Sequence, residues 1–202
     1  MSLPARHKSK TKRGHGFLNR GVKALIAISL IIVISVVAYQ MIDKDSPATS
    51  ESPTRVLLVT NRGEITIELY GDMPVTSGNF RNLTESGVFD GTIFHRVVHG
   101  FVIQGGDASP KGINVPTIPD ELPNKHSNVR GSVAMAKTSE PNSATSQFYI
   151  NLADNTRLDS NYSVFGRVIE GLEVVDAIGD TPTDTNDRPL QDVALVSAEL
   201  VG

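Results

Sequence analysis

Cysteine is absent from the 202 residues, which excludes disulfides, thiolate nucleophiles and a lipid-modified cysteine anchor. Acidic residues are absent before Asp43, whereas seven of the 19 Lys and Arg lie there. The rest of the chain carries 12 basic residues against 22 acids, a net of −10, which argues against nucleic acid as the partner of the folded part. No internal repeat is present, and Gly105-Gly106 lacks the GxxxxGK[ST] pattern of a phosphate loop. His95 and His99 are four apart, but their strand-and-turn context does not make the one-face helical pair of many zinc motifs. The acidic run from Asp180 to Asp187 departs from EF-hand spacing and reads as a solvated loop. No metal or cofactor is therefore expected.

Long apolar runs are scarce too, with one exception. From Gly21 to Ile42 only Lys23, Ser29, Ser35 and Gln40 interrupt the hydrophobic pattern. As a helix these residues would span about 33 Å, against about 30 Å for a hydrocarbon core. The reading is a basic cytoplasmic tail (1–20), a transmembrane helix (21–42), a linker rich in Ser, Thr, Pro and Asp (43–54) and one globular domain (55–202). Basic residues before the span and Asp43, Asp45 and Glu51 after it predict a single-pass cell-membrane protein with its C-terminal domain outside the cytoplasm. The lipid bilayer is then a partner through residues 21–42. The alternative is a cleaved signal peptide and a secreted domain, although the small-x-small cleavage pattern is poor.

Within the domain, Arg55–Thr60 and Glu64–Tyr70 read as paired strands, the second alternating Glu64, Thr66 and Glu68 with Ile65, Ile67 and Leu69. Thr76–Ser86 predicts a helix with Gly87 as its C′ residue, and Glu170–Ile178 a second one with Leu172, Val175 and Ile178 inward. Further strands are expected at 93–98, 101–105, 131–136, 147–151, 162–168 and 192–200. Eight short strands and two helices fit an all-β fold: a closed eight-stranded antiparallel barrel capped by two helices, behind an N-terminal transmembrane helix.

The organising stretch is FHRVVHGFVIQGGD, residues 94–107. Arg96 is its unusual member, because a half-buried guanidinium needs acceptors that its Phe and Val neighbours lack. Two readings stay open from these residues alone. Its stem can lie on a barrel wall with its head on a carboxylate, or it can be a rigid donor aimed into an apolar groove beside Phe101 and Gln104.

This stretch, with RGSVAMAK (130–137), TSQFYINL (145–152) and LDSNYSVFGRVIEGLEVVDAI (158–178), resembles the cyclophilin-type peptidyl-prolyl cis-trans isomerases over roughly residues 55–200. The resemblance implies the barrel fold, catalysed rotation about X-Pro bonds, and proline-containing polypeptides as partners. It implies Arg96 as the catalytic donor, with Phe101, Met135, Tyr149 and Leu158 around the proline site. Gln104 matches a position that orients the arginine and the substrate backbone, Ala136 and Lys137 align an extended peptide, and Phe94, Val102 and Tyr162 fall on groove positions. The chain departs from the family pattern at Val102, where methionine is frequent, at Tyr149, where phenylalanine is common, and at Tyr162, often histidine. Arg157 stands where an aromatic is usual, and the lack of tryptophan argues against tight cyclosporin binding. The expected function is isomerisation assisting the folding of exported proteins. The alternative is a membrane-tethered peptide-binding or chaperone module with weak or no catalysis.

Overall fold

Strand β1 (Arg55–Thr60) turns at Asn61-Arg62 into β2 (Gly63–Leu69), and the two pair antiparallel with Leu58 opposite Ile65. The computed structural model describes residues 54–202. Helix α1 (Pro74–Glu85) follows, then β3 (Thr92–Ile93), β4 (Arg96–Val98), β5 (Val102–Gly105), β6 (Ser132–Met135), β7 (Phe148–Asn151), β8 (Val164–Glu170), helix α2 (Leu172–Gly179) and β9 (Ala194–Val201). Single 3-10 turns occupy Ser109–Lys111 and Thr156–Leu158.

Helix α1 starts two residues earlier than the sequence predicts, because Pro74 suits a first turn whose N–H groups lack intrahelical partners. Its N-cap residue Met73 offers no side-chain acceptor. The distant Glu121 carboxylate instead accepts from the N–H groups of Val75 (3.1 Å) and Thr76 (2.6 Å). Helix α2 leaves β8 through Gly171 at φ +81, where a Cβ would lie 2.1 Å from the Glu64 carbonyl oxygen. Only glycine fits that crossing.

The strands form one sheet in the order β3-β9-β1-β2-β8-β6-β7-β5-β4. This corrects the expected closed eight-stranded barrel: there are nine strands, and the sheet is open and curled. The stretch 93–98, expected to be one strand, is two. Ile93 pairs with Ala194 on β9, Arg96 pairs with Gln104 on β5, and Phe94 and His95 carry the chain between them. The two edges of the sheet are thus joined by the covalent chain rather than by a ladder of hydrogen bonds.

A second correction concerns the membrane. Among the described residues no helix is long and apolar enough to cross a bilayer. The expected transmembrane helix over 21–42, the lipid bilayer as its partner and the single-pass cell-membrane localisation have no counterpart there. Residues 21–42, with the tail and most of the linker, lie outside the described residues, and the functional reading rests on 54–202.

Side-chain alternation gives the curled sheet a packed inside. Five of the seven phenylalanines, Phe80, Phe89, Phe94, Phe148 and Phe165, are fully buried there. Phe148 is the hub, with edge-on contacts to Phe80 (5.2 Å between centroids), Phe89 (5.6 Å) and Phe94 (5.9 Å). Such T-shaped pairs add about 1 kcal/mol each beyond the area they bury. Gly106 lets the chain pass this hub, since a Cβ there would stand 2.8 Å from the Phe148 ring. These rings pack the inside of the curled sheet closely.

Candidate active site

On the sheet's outer face Val102, Ala134, Ala136, Tyr149 and Val164 form a second apolar cluster, with Phe101, Leu158 and Tyr162 packed against it. Strand period explains the membership. On β7, Phe148 and Ile150 point inward and Tyr149 outward; on β6, Val133 and Met135 point inward and Ala134 outward.

A cavity of about 350 Å³ opens over this cluster, lined by Arg96, Phe101, Val102, Gln104, Ala136, Lys137, Tyr149, Leu158 and Tyr162. Two residues expected beside it are elsewhere. Met135 faces the core by alternation from Ala134, and Phe94 packs on Phe148. Counting by twos from Arg96 would put Phe94 outside, but the change of strand partner at 94–95 turns it in.

The polar edge of the cavity is a chain of side chains. Arg96 Nη1 donates to Gln104 Oε1 at 3.5 Å, a long bond, and Gln104 Nε2 donates to Gln147 Oε1 at 2.9 Å. Arg96 Nε lies 3.3 Å from Asp187 Oδ2. The Arg96 head meets a carboxylate, as the first sequence reading has it, and the same side chain lines the cavity. Lys137 is nearly buried against Asp120, with 3.2 Å between Nζ and Oδ2, so its cation is held at the rim by its own partner.

The apolar wall has its own support. The Tyr149 hydroxyl does not enter the cavity; it donates to Asn128 Oδ1 at 2.7 Å, and burial pushes the phenol's pKa up. Asn128 is fully buried, and its backbone N–H (2.7 Å) and side-chain amide (2.9 Å) donate to Asp159 Oδ1. That carboxylate selects the amide orientation that leaves Oδ1 for Tyr149. Burial alone would raise the Asp159 pKa, but the Ser127 hydroxyl and the two Asn128 donors outweigh it and hold the carboxyl below its ordinary range. Asn155 Nδ2 donates to Asn151 Oδ1 (2.8 Å) and to the Phe101 carbonyl (3.0 Å), which fixes the backbone of the next wall residue. Outside, the Arg157 guanidinium sits 4.9 Å from the Phe101 ring centroid, a cation-π contact at the position where the resemblance leads one to expect an aromatic.

Gln147, Asn128 and Asp187 are the residues that sequence reasoning missed. Gln147 was findable, because it lies two residues before Tyr149 in TSQFYINL and so shares its face. Asn128 and Asp187 sit in loops without a period, and nothing in the sequence singles them out.

A curled antiparallel sheet packed on a phenylalanine core, with a cavity on its outer face and one guanidinium at the rim, defines a predominantly β protein with a candidate site on that face. The family model "Cyclophilin type peptidyl-prolyl cis-trans isomerase/CLD" matches residues 55–200, and the chain belongs to that family. It is 44% identical over 161 residues to a peptidyl-prolyl cis-trans isomerase of Acinetobacter baylyi, covering 73% of this chain and 85% of the relative. It is 42% identical to peptidyl-prolyl cis-trans isomerase A of Dickeya dadantii, covering 83% and 90%. Among solved structures, a cyclophilin type peptidyl-prolyl cis-trans isomerase of Cryptosporidium parvum, determined in the presence of the dipeptide Ala-Pro, superposes with a TM-score of 0.68 at 30% identity, covering 73% of this chain and 99% of that one. The chain is an enzyme that catalyses isomerisation of X-Pro peptide bonds.

Proposed function

We propose that the cavity takes the proline ring of an extended polypeptide and that Arg96 is the group that lowers the rotational barrier. Rotation about a peptide C–N bond meets a barrier of about 20 kcal/mol, because twisting removes amide resonance. In the twisted state the proline nitrogen regains a lone pair, which it lacks in either planar isomer. A donor aimed at that nitrogen is therefore bound more strongly at the top of the barrier than at its feet, and the difference is catalysis. No covalent bond is made and no proton is transferred.

The observation that carries this reading is the meeting of a permanently charged guanidinium with an apolar cavity of proline-ring dimensions or larger. Phe101, Val102, Leu158, Tyr149 and Tyr162 supply apolar surface for the ring, Gln104 orients both Arg96 and the substrate backbone, and the backbone at Ala136 and Lys137 aligns the peptide. Phe94 and Met135 act from behind, by packing the strands that carry Arg96 and Ala136. The Ala-Pro dipeptide present with the Cryptosporidium parvum relative belongs to the same ligand class. The clients are proline-containing polypeptides during folding.

The test is cis-to-trans conversion of a proline peptide by the wild type, Arg96→Ala and Arg96→Lys. Loss of one preorganised donor lowers turnover by about 100-fold or more. Arg96→Lys keeps the charge, loses the planar fork and retains little activity. Peptide affinity stays within a few-fold, because the apolar contacts remain. Wild-type turnover by Arg96→Ala rejects the assignment.

A further inference from the structure

We propose that Asp187 is the positioning residue for Arg96, holding the guanidinium by its Nε edge so that the Nη groups stay turned to the cavity. This rests on the reading of Arg96 as the donor.

The loop between α2 and β9 is built to present this one carboxylate. Asp184 Oδ1 accepts from the N–H groups of Asn186 (2.8 Å) and Arg188 (3.0 Å), the Asp184 N–H donates to the Arg188 carbonyl (2.8 Å), and the Leu190 N–H donates to Pro182 (2.9 Å). Asp187 stands at the tip with φ +63, a left-handed conformation that Asp, Asn and Gly adopt at low cost. From there it makes two contacts with β4. Its carbonyl accepts the Val97 N–H at 2.8 Å, satisfying a donor on the sheet's end strand, and its Oδ2 meets Arg96 Nε at 3.3 Å. One residue thus sets the height of the strand and the rotation of the side chain next to it.

The magnitudes place the consequence in turnover rather than in folding. Arg96 and Asp187 side chains are 39% and 44% exposed, and ion pairs this wet contribute little stability. Arginine stays charged without help, so Asp187 is not needed to ionise it. What the pair supplies is orientation. The side-chain hydrogen bond that Arg96 donates to Gln104 is at the 3.5 Å limit and holds the fork loosely.

The decisive variants are Asp187→Gly and Asp187→Asn, which keep the left-handed backbone and the contact to Val97. Asp187→Gly lowers kcat about tenfold with KM within twofold, and Asp187→Asn, which retains an acceptor oxygen, about threefold. In the Arg96→Ala background Asp187→Gly has no further effect. A kcat for Asp187→Gly within twofold of wild type overturns the proposal, as does an undiminished tenfold loss in the Arg96→Ala background, which would mark a general structural effect. Arg96→Ala with wild-type turnover is a separate result that removes the donor assignment itself. Should Asp187→Gly fail to fold, the Asp187→Asn cycle carries the same comparison.

Discussion

The two sides of the cavity are held by opposite means. Behind Tyr149 and Phe101 lies a buried lattice of amides anchored at one end by the Asp159 carboxylate, in which Asn128, Asn151 and Asn155 are each no more than 3% exposed and every side-chain amide has partners. Around Arg96 lies a half-exposed charge, caught between a carboxylate from a loop and one long hydrogen bond. A wall that must keep its shape gains from buried hydrogen bonds, which salt does not screen. A donor that must meet a rotating nitrogen needs Nη hydrogens to spare, and Arg96 commits only one long bond from Nη1 to Gln104, so the weaker and wetter support suits it.

The largest difference should come from emptying the lattice. Asn128→Ala strands the Tyr149 hydroxyl and removes the side-chain amide donor from Asp159 while leaving the backbone one, and loses about 2–4 kcal/mol of stability, read as the shift in urea midpoint at constant slope. Tyr149→Phe removes one hydrogen bond while Asn128 keeps its bond from Asn151, and costs only about 1 kcal/mol. Equal losses for the two variants would break the claim that Asn128 is the centre of that wall.

A smaller effect separates the walls by salt. Raising ionic strength from about 0.1 M to about 1 M shortens the screening length from about 10 Å to about 3 Å. Wild-type kcat should fall about twofold, the Asp187→Asn enzyme should not respond, and the stability cost of Asn128→Ala should be the same at both salts. A salt response as large in Asp187→Asn as in wild type would place its origin elsewhere.

The smallest effect is with pH. His95, beside Arg96, has a buried Nδ1 without a partner, and burial lowers its pKa below the ordinary 6.5, aided by Arg188 and Arg96 and opposed by Asp107 and the Ile93 backbone. Its neutral form is the folded form. Stability is complete above about 6.5 and declines as pH falls from there towards the folded value, because the unfolded chain takes up the proton first. Unfolding at pH 7.5 and 5.5 should show this decline in wild type and a weaker one in His95→Asn. A ring that titrates at or above 6.5 by NMR would contradict it.

Strand order and partner choice account for what sequence reading missed. Residues 93–98 carry one continuous strand pattern, yet the chain changes partner at Phe94-His95, so a count of eight became nine and Phe94 went inside. Met135 was assigned to the proline site by resemblance, while simple alternation from Ala134 already put it in the core. The loop from Asp180 to Asp187 was read as solvated; Asp184, Thr185 and Asn186 are exposed, but Thr181 is buried and the Asp187 carboxylate reaches Arg96.

Short-range period was enough, by itself, to mark out short strands and two helices, because alternation along a strand is a local property, while the family, its extent over roughly residues 55–200 and the grouping of Val102, Gln104 and Tyr149 came from the resemblance of whole motifs. Only the tertiary structure decided that the sheet is open, that the Tyr149 hydroxyl turns inward to Asn128, and that Asp187 lies on Arg96. Those outcomes depend on which distant segments meet as the sheet curls around its phenylalanine core, and no local pattern encodes a meeting between residues that far apart in the chain.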